Sequence, residues 1–314
     1  MKLIVQATEF IADGVRRLHF AAADGQALPP CTAGAHLKIA LAADAGGMVR
    51  EYSIVGRGAE GDCYEVAVQL EPAGRGGSRA MHALAAGDIV DAQGPFNAFP
   101  LRGGATHRVL IAGGIGITPI LSMARELRGG GLPFELHYAA KSRHRTAFHD
   151  EVAALPGATI YHSEEGARER MPVAAILADP APGRQLHVCG PRSLIAEVVE
   201  TARRLGWNED DVHFETFGGA VALGADRPIR VELRASGRTI LVKADESILD
   251  AMLAAGMDPL YDCRRGECGM CITGVIEGVP EHRDHALTDA EKASGKVICT
   301  CVSRARSADL VLDI

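Results

Sequence analysis

Three cysteines crowd into the stretch YDCRRGECGMC, where Cys263, Cys268 and Cys271 follow C-x4-C-x2-C, and residues 272–300 separate Cys271 from Cys301. This is the plant-type spacing for a [2Fe-2S] cluster, in which a loop wraps the metal and a distant segment supplies the fourth thiolate. Gly266 and Gly269 suit such a loop, because they accept positive φ and let backbone N–H groups approach the sulfides. A structural zinc site usually pairs two short C-x2-C units, whereas the second half here reads CTC. Cys299 and Cys301 compete for the fourth position. In an extended strand both face the same side, so periodicity leaves that choice open.

The cluster loop occupies only the last fifth of the 314 residues, a length that calls for two or three domains. A formal charge of -7 and a pI near 6.0 exclude the clustered cations of a nucleic-acid footprint. The N-terminus MKLIVQATEF alternates like a strand, and no run of eighteen apolar residues follows, so the expectation is a cytoplasmic protein without a membrane span. In that reducing compartment, eight cysteines point to metal ligands or redox groups rather than disulfides.

Three blocks precede and include the loop. In residues 1–104, segments such as AHLKIAL, REYSIVG and YEVAVQL alternate with Gly, Asp and Pro clusters, which predicts a small antiparallel β-barrel with no long helix. In residues 105–217, HRVLIAGG, PILSMARELRGGG, FELHYAA, RQLHVCG and SLIAEVVETARRLG alternate strand and helix and predict a parallel α/β sheet, with Gly206 as a helix C-cap. Residues 218–227 are rich in small residues and read as a linker. Residues 228–314 open with a hairpin and a short helix, then enter the cysteine loop, as an α+β domain.

The first block holds REYS, with Arg50, Tyr52 and Ser53, and later GRGGS, ending in Gly76, Gly77 and Ser78. A flavin mononucleotide needs a cation and several N–H donors for its phosphate, and a ring edge against the isoalloxazine. Arg50 and Tyr52 offer the charge and the ring, and the consecutive glycines allow an anion nest. The bland alternative is a strand followed by a flexible turn. In the second block GGIGITP carries Gly113, Gly114 and Gly116 between a strand and a helix, but Pro119 stands where G-x-G-x-x-G requires its third glycine. The acidic residue that would hold a ribose 2′-hydroxyl is missing from AAKSRHRTAF, which instead offers Lys141, Ser142, Arg143 and Arg145.

CRRGECGMC, CVSRARSADLVLDI and the HRD at His282–Asp284 resemble the phthalate dioxygenase reductase and vanillate O-demethylase reductase family. REYS and GRGGS are similar to the FMN-binding branch of the ferredoxin–NADP reductase superfamily, and G-x-G-x-x-P is that superfamily's own nucleotide turn. The resemblance covers nearly the whole chain in the order flavin, nicotinamide, ferredoxin. It implies Cys301 as fourth cluster ligand and Cys299 as a passenger. It also implies Val68 and Gln69 beside the flavin ring, and Thr118 between flavin and nicotinamide. Cys189, Gly190 and Pro191 of CGP would reach the nicotinamide, with Cys189 and Thr118 nearest the chemistry; as a bland alternative Cys189 is a small buried residue. Glu215 and Phe217 would lie near the flavin, Phe217 covering its ring. Ser142 and Arg143 would flank the adenosine ribose of NADH, although the basic cluster also suits the 2′-phosphate of NADPH.

The function so implied is an NADH-dependent reductase that moves electrons through FMN and [2Fe-2S] to the Rieske centre of a separate terminal oxygenase of aromatic catabolism. Hydride carries two electrons and the cluster accepts one, so a flavin must stand between them. The chain lacks a C-x-H Rieske ligand pattern and is therefore a donor. Two alternatives are a reductase for a haem or di-iron monooxygenase, and a redox-sensing module without turnover.

Overall fold

Turn chemistry sets the first hairpin. Asp13-Gly14 is a pair that accepts positive φ, and Gly14 takes φ 71° between β1 (Lys2–Ala12) and β2 (Val15–Ala22). The computed structural model describes residues 1–41, 48–58, 62–72, 76–164, 170–217, 226–261, 264, 266, 269–284 and 286–314. With β3 (His36–Ala40), β4 (Val49–Arg57), β5 (Cys63–Gln69) and β6 (Ile89–Phe96), the hairpin closes an antiparallel barrel in the order β1-β2-β5-β4-β3-β6. Strand β5 is buried along almost its whole length because both of its faces are covered. Tyr64, Val66 and Val68 belong to the barrel core with Leu18, Leu37 and Ile54, while Ala67 joins a second core. Each such fully buried side chain contributes roughly 1.5–3 kcal/mol of hydrophobic stabilisation. GRGGS does more than turn: Gly76, at φ 99°, starts helix α1 (Gly77–Ala83). That helix is short, as a block with no long helix requires.

The second core is built on a parallel sheet. β7 (His107–Gly113), β8 (Phe134–Ala140), β9 (Ala158–His162), β10 (Arg184–Cys189) and β11 (Val212–Glu215) lie in the order β11-β10-β7-β8-β9. Strand β7 is apolar throughout its centre, as a strand covered on both faces must be. The connections include α2 (Ile117–Gly129), α3 (His149–Ala153), α4 (Val173–Ile176) and α5 (Arg192–Leu205). Helix α2 buries Ile117, Ile120, Leu121, Ala124 and Leu127 against this sheet and against Val55 and Ala67 of the barrel. Gly206 does cap α5, in the left-handed region at φ 85°, with Trp207 N donating to Ala202 O at 3.0 Å. Chain order reverses between β7 and β10, and in open α/β sheets ligands bind at such a switch point, beyond the carboxyl ends of the strands.

The third sheet has the order β13-β12-β18-β14-β16, from β12 (Ile229–Leu233), β13 (Arg238–Val242), β14 (Ile272–Glu277), β16 (Val297–Cys299) and β18 (Asp309–Asp313). Strands β12 and β18 are parallel, and the other pairs are antiparallel. A two-stranded ribbon pairs β15 (Pro280–Glu281) with β17 (Arg304–Ala305). Helix α6 (Ile248–Ala254) is capped by Ser247, and α7 (Asp289–Ser294) by a capping box of Thr288 and Glu291. The barrel and the parallel sheet share one compact unit, Met1–Pro191 with Thr201–Glu215; the third sheet lies in the other, Thr216–Ile314 with Arg192–Glu200. No helix among the described residues is long and apolar enough to cross a membrane.

Candidate functional site

Strand β4 and the start of α1 bring the two motifs of the first block into contact. A Cβ on Gly77 would lie 3.0 Å from Arg50 Cγ and 3.4 Å from Arg50 Nε, so the Arg50 stem runs along bare glycine backbone. Ser78 follows directly, and its Oγ accepts from Glu71 N at 3.0 Å. The helix is tied to β5 by His82, whose Nε2–H donates to the Val68 carbonyl at 2.8 Å. Val68 and Ser53 are buried, and Gln69 at the end of β5 is half-buried. Burial pushes the Tyr52 phenol up, opposed by the nearby Arg50 charge. A cation, a glycine backbone and a half-buried ring thus meet on adjacent elements, which fits the phosphate and ring edge of a flavin.

The carboxyl ends of β7 and β10 meet at the switch point. A Cβ on Gly190 would stand 2.9 Å from Gly113 Cα, and one on Gly116 would stand 2.6 Å from Gly190 N. Both approaches exclude any side chain, so GGIG and CGP form one closed seam. Gly114 takes φ 53°, and the single turn Gly114–Gly116 leads into α2. Thr118 is buried in the first turn of α2, with its hydroxyl donating to Ile115 O at 3.0 Å. Cys189 is fully buried, paired in register with Ala112 on one side and Glu215 on the other. Burial, and then the Glu215 charge, raise the Cys189 thiol well above its ordinary range. Buried and protonated, it is not a nucleophile. Pro191 caps α5 just beyond.

Ser142 follows β8 and accepts through its carbonyl from Thr146 Oγ1 at 2.9 Å and Arg145 N at 3.1 Å, closing a single helical turn Arg143–Arg145. Arg143 is exposed and lies 3.1 Å from His149 Nε2 through its Nη1. Lys141 and Arg145 are exposed beside it. Phe217 is 44% exposed and belongs to the unit that contains the third sheet.

Sequence reasoning passed over the residues that join barrel to parallel sheet. Arg125 of α2 gives Glu65 of β5 a 2.6 Å bond and grips Glu151 of α3 through two 2.7 Å bonds. Its Nη1 also reaches Val55 O at 3.2 Å, and a Cβ on Gly56 would strike that nitrogen at 2.6 Å. Glu65 is 4% exposed and takes a second cation, Arg17, at 3.1 Å. A charged residue inside the apolar strand YEVAVQ was the available signal.

In the third sheet Cys271 and Cys301 are buried with their sulfurs 3.2 Å apart. Cys263 and Cys268 lie outside the described residues, as do residues 218–225 of the expected linker. Strand β16 ends at Cys299, and Cys301 occupies the turn after it, so the extended-strand assumption that left the two cysteines equivalent does not hold. Cys299 stays fully buried among the apolar core residues. The neighbouring Cys299 and then Cys301 side chains hold the Cys271 thiol below the ordinary thiol range. Gly266 and Gly269 take φ 76° and 74°, and a Cβ on Gly266 would strike Val302 Cγ2 at 2.6 Å and Asp284 Cα at 2.9 Å. Gly266 therefore sits where only glycine passes, and the paired Cys271 and Cys301 sulfurs suit two of the thiolate ligands of an iron–sulfur cluster.

Comparisons with known proteins agree. Residues 231–306 match the family described as 2Fe-2S iron-sulfur cluster binding domain, and residues 2–100 match the oxidoreductase FAD-binding domain. Residues 89–212 match the N-terminal domain of dimethylamine monooxygenase subunit DmmA-like proteins. The chain is 40% identical to vanillate O-demethylase oxidoreductase of Pseudomonas sp. (strain HR199 / DSM 7063), covering 100% of both chains. It is 38% identical to the heme-dependent oxidative N-demethylase beta subunit of Ectopseudomonas mendocina (strain ymp), over 91% of this chain and 90% of that one. A solved phthalate dioxygenase reductase, described as a modular structure for electron transfer from pyridine nucleotides to [2Fe-2S], superposes with TM-score 0.69 at 36% identity, over 100% of this chain and 98% of that one. With that glycine-lined nucleotide seam, that Arg50 cradle and that cysteine turn in one chain, it belongs to the phthalate dioxygenase reductase and vanillate O-demethylase oxidoreductase family, the flavin and [2Fe-2S] reductase components of oxygenase and demethylase systems.

Proposed function

We propose that this chain uses NADH and FMN, and that its electrons leave through the [2Fe-2S] cluster for the Rieske centre of a separate cytoplasmic oxygenase. When bound, the flavin supplies conversion of a two-electron hydride into single electrons, and the cluster supplies one-electron transfer. The observation that carries the reading is the glycine-only seam between Gly113–Gly116 and Cys189–Gly190, against which β5 of the barrel also lies. A nicotinamide held there stands next to Val68, Gln69 and Thr118, where the flavin ring would be.

In this reading Arg50, Gly76, Gly77 and Ser78 hold the flavin phosphate, and Tyr52, Ser53, Val68 and Gln69 line its ring. The matching family description names FAD, but Gly77 packed on Arg50 supports a ligand ending at its first phosphate. Gly113, Gly114 and Gly116 admit the pyrophosphate to the start of α2, where free N–H groups favour anions. Cys189, Gly190 and Pro191 wall the nicotinamide, with Thr118 and Glu215 flanking it. Ser142 and Arg143 flank the adenosine ribose. Cys263, Cys268, Cys271 and Cys301 bind the cluster. No side chain serves as general acid or base; the residues orient cofactors and keep water out.

An anaerobic titration with NADH, with NADPH in parallel and the released flavin identified by chromatography, tests this. Bleaching of both chromophores at lower NADH than NADPH, with FMN released, is the expected result; preference for NADPH, release of FAD, or no iron–sulfur absorbance overturns the corresponding part. A haem acceptor is the second reading, favoured by the 38% identity to the heme-dependent N-demethylase beta subunit. Electron delivery to a purified Rieske oxygenase but not to a haem oxygenase separates the two.

A further inference from the structure

The HRD segment contains, among the described residues, the most buried carboxylate of the third sheet's unit. Asp284 is 2% exposed. Its Oδ1 accepts from Ser303 Oγ at 2.9 Å and its Oδ2 accepts from Leu287 N at 3.0 Å. His282 Nδ1 stands 3.7 Å from Oδ1, and Lys292 Nζ donates to the Asp284 carbonyl at 2.7 Å.

These partners place Asp284 between both halves of the cluster-binding apparatus. Ser303 follows Cys301 by two residues, its N donates to Cys299 O at 3.0 Å, and its Oγ also accepts from Arg283 N at 3.0 Å. On the other side Ala286 N donates to Gly266 O at 3.0 Å, and the Gly266 backbone packs on Asp284 Cα so closely that a Cβ would stand 2.9 Å away. Gly266 lies between Cys263 and Cys268 in sequence. The Asp284 carboxylate therefore ties the Cys301 turn to the Leu287 backbone, while the Asp284 and Ala286 backbone holds Gly266 of the ligand loop, and the carboxylate does so from a site that water does not reach. A buried negative charge is weakly screened, and it opposes the arrival of an electron on a neighbouring centre.

We propose that Asp284 is a positioning residue of the [2Fe-2S] cluster, which fixes the Cys301 turn through Ser303 and sets a low reduction potential through its buried charge. This rests on the ligand assignment above. The test is an EPR-monitored redox titration of the full-length holoprotein, with iron and labile sulfide content of the wild type checking the ligand assignment separately. Asp284→Asn, which removes the charge and keeps the shape, should raise the cluster midpoint by at least about tenfold in the reduction equilibrium, or ~59 mV for one electron, while the flavin midpoint stays in place. Ser303→Ala, which keeps the charge, should move the cluster midpoint by less than about threefold. A loaded Asp284→Asn protein with an unmoved cluster midpoint overturns the proposal, as does an equal shift in Ser303→Ala. If Asp284→Asn takes up no cluster, Asp284→Glu decides: loading with a near-wild-type midpoint supports the role of the charge, and failure to load with the charge present overturns it.

Discussion

The backbone N of Gly190 comes so close to Gly116 that a Cβ there would stand 2.6 Å away, and the two loops that flank the switch point close on each other with no side chain between them. Gly116→Ala must push these loops apart. Because misplacing reacting groups by about 1 Å costs roughly 100-fold, hydride transfer should slow by about 10- to 100-fold while flavin content is unchanged. Stopped-flow measurement of flavin reduction by NADH checks this, and an unchanged rate constant contradicts it.

Arg50 lies on Gly77, where a charge-assisted contact to phosphate is worth about 1.5–3 kcal/mol. Arg50→Ala is expected to bind flavin about 10- to 100-fold more weakly and to purify partly depleted of it. Fluorescence titration of the depleted protein with FMN gives the affinity.

Cys271, Cys299 and Cys301 share one buried cluster, but Cys299 is the last residue of β16 whereas Cys301 stands in the turn after it, with its sulfur 3.2 Å from that of Cys271. Cys301→Ser should lose the cluster absorbance, and Cys299→Ser should retain it with a modest loss of stability. Cluster absorbance kept in Cys301→Ser refutes the assignment.

The Glu65 carboxylate, buried between Arg125 and Arg17, is the bolt between barrel and parallel sheet. Removing one partner of a buried pair strands the other, so Glu65→Ala should lower unfolding stability by about 3 kcal/mol. Denaturant unfolding measures the loss.

His187 sits fully buried on β10 against His213, with ring centroids 4.7 Å apart. Burial, and then the neighbouring His213, push its imidazole from the ordinary 6.5 down to about 3. The folded state thus binds fewer protons than the unfolded one, and stability is present above pH 6.5 and lost as the pH falls from there towards 3. His187→Leu should flatten the fall of Tm across this window, and a wild-type slope in the variant would contradict the assignment.

The sequence by itself determined what is encoded in short spacings. C-x4-C-x2-C, REYS, GRGGS and GGIGITP are each short runs of adjacent residues, whose types and spacing point directly to the ligand they suit. The barrel, the parallel sheet and the α+β domain were legible because period and turn chemistry are local as well. Tertiary structure decided what depends on residues far apart in the chain. Arg50 meets Gly77, and Gly113 meets Gly190, only through packing of separate elements. Glu65 is paired only because α2 brings Arg125 to it, and Asp284 becomes a clamp only because Ser303 folds back on it. Cys299 and Cys301 could not be separated by strand periodicity, because the strand ends between them and the chain turns. Burial and register are properties of the closed fold, and no single stretch of this chain carries them.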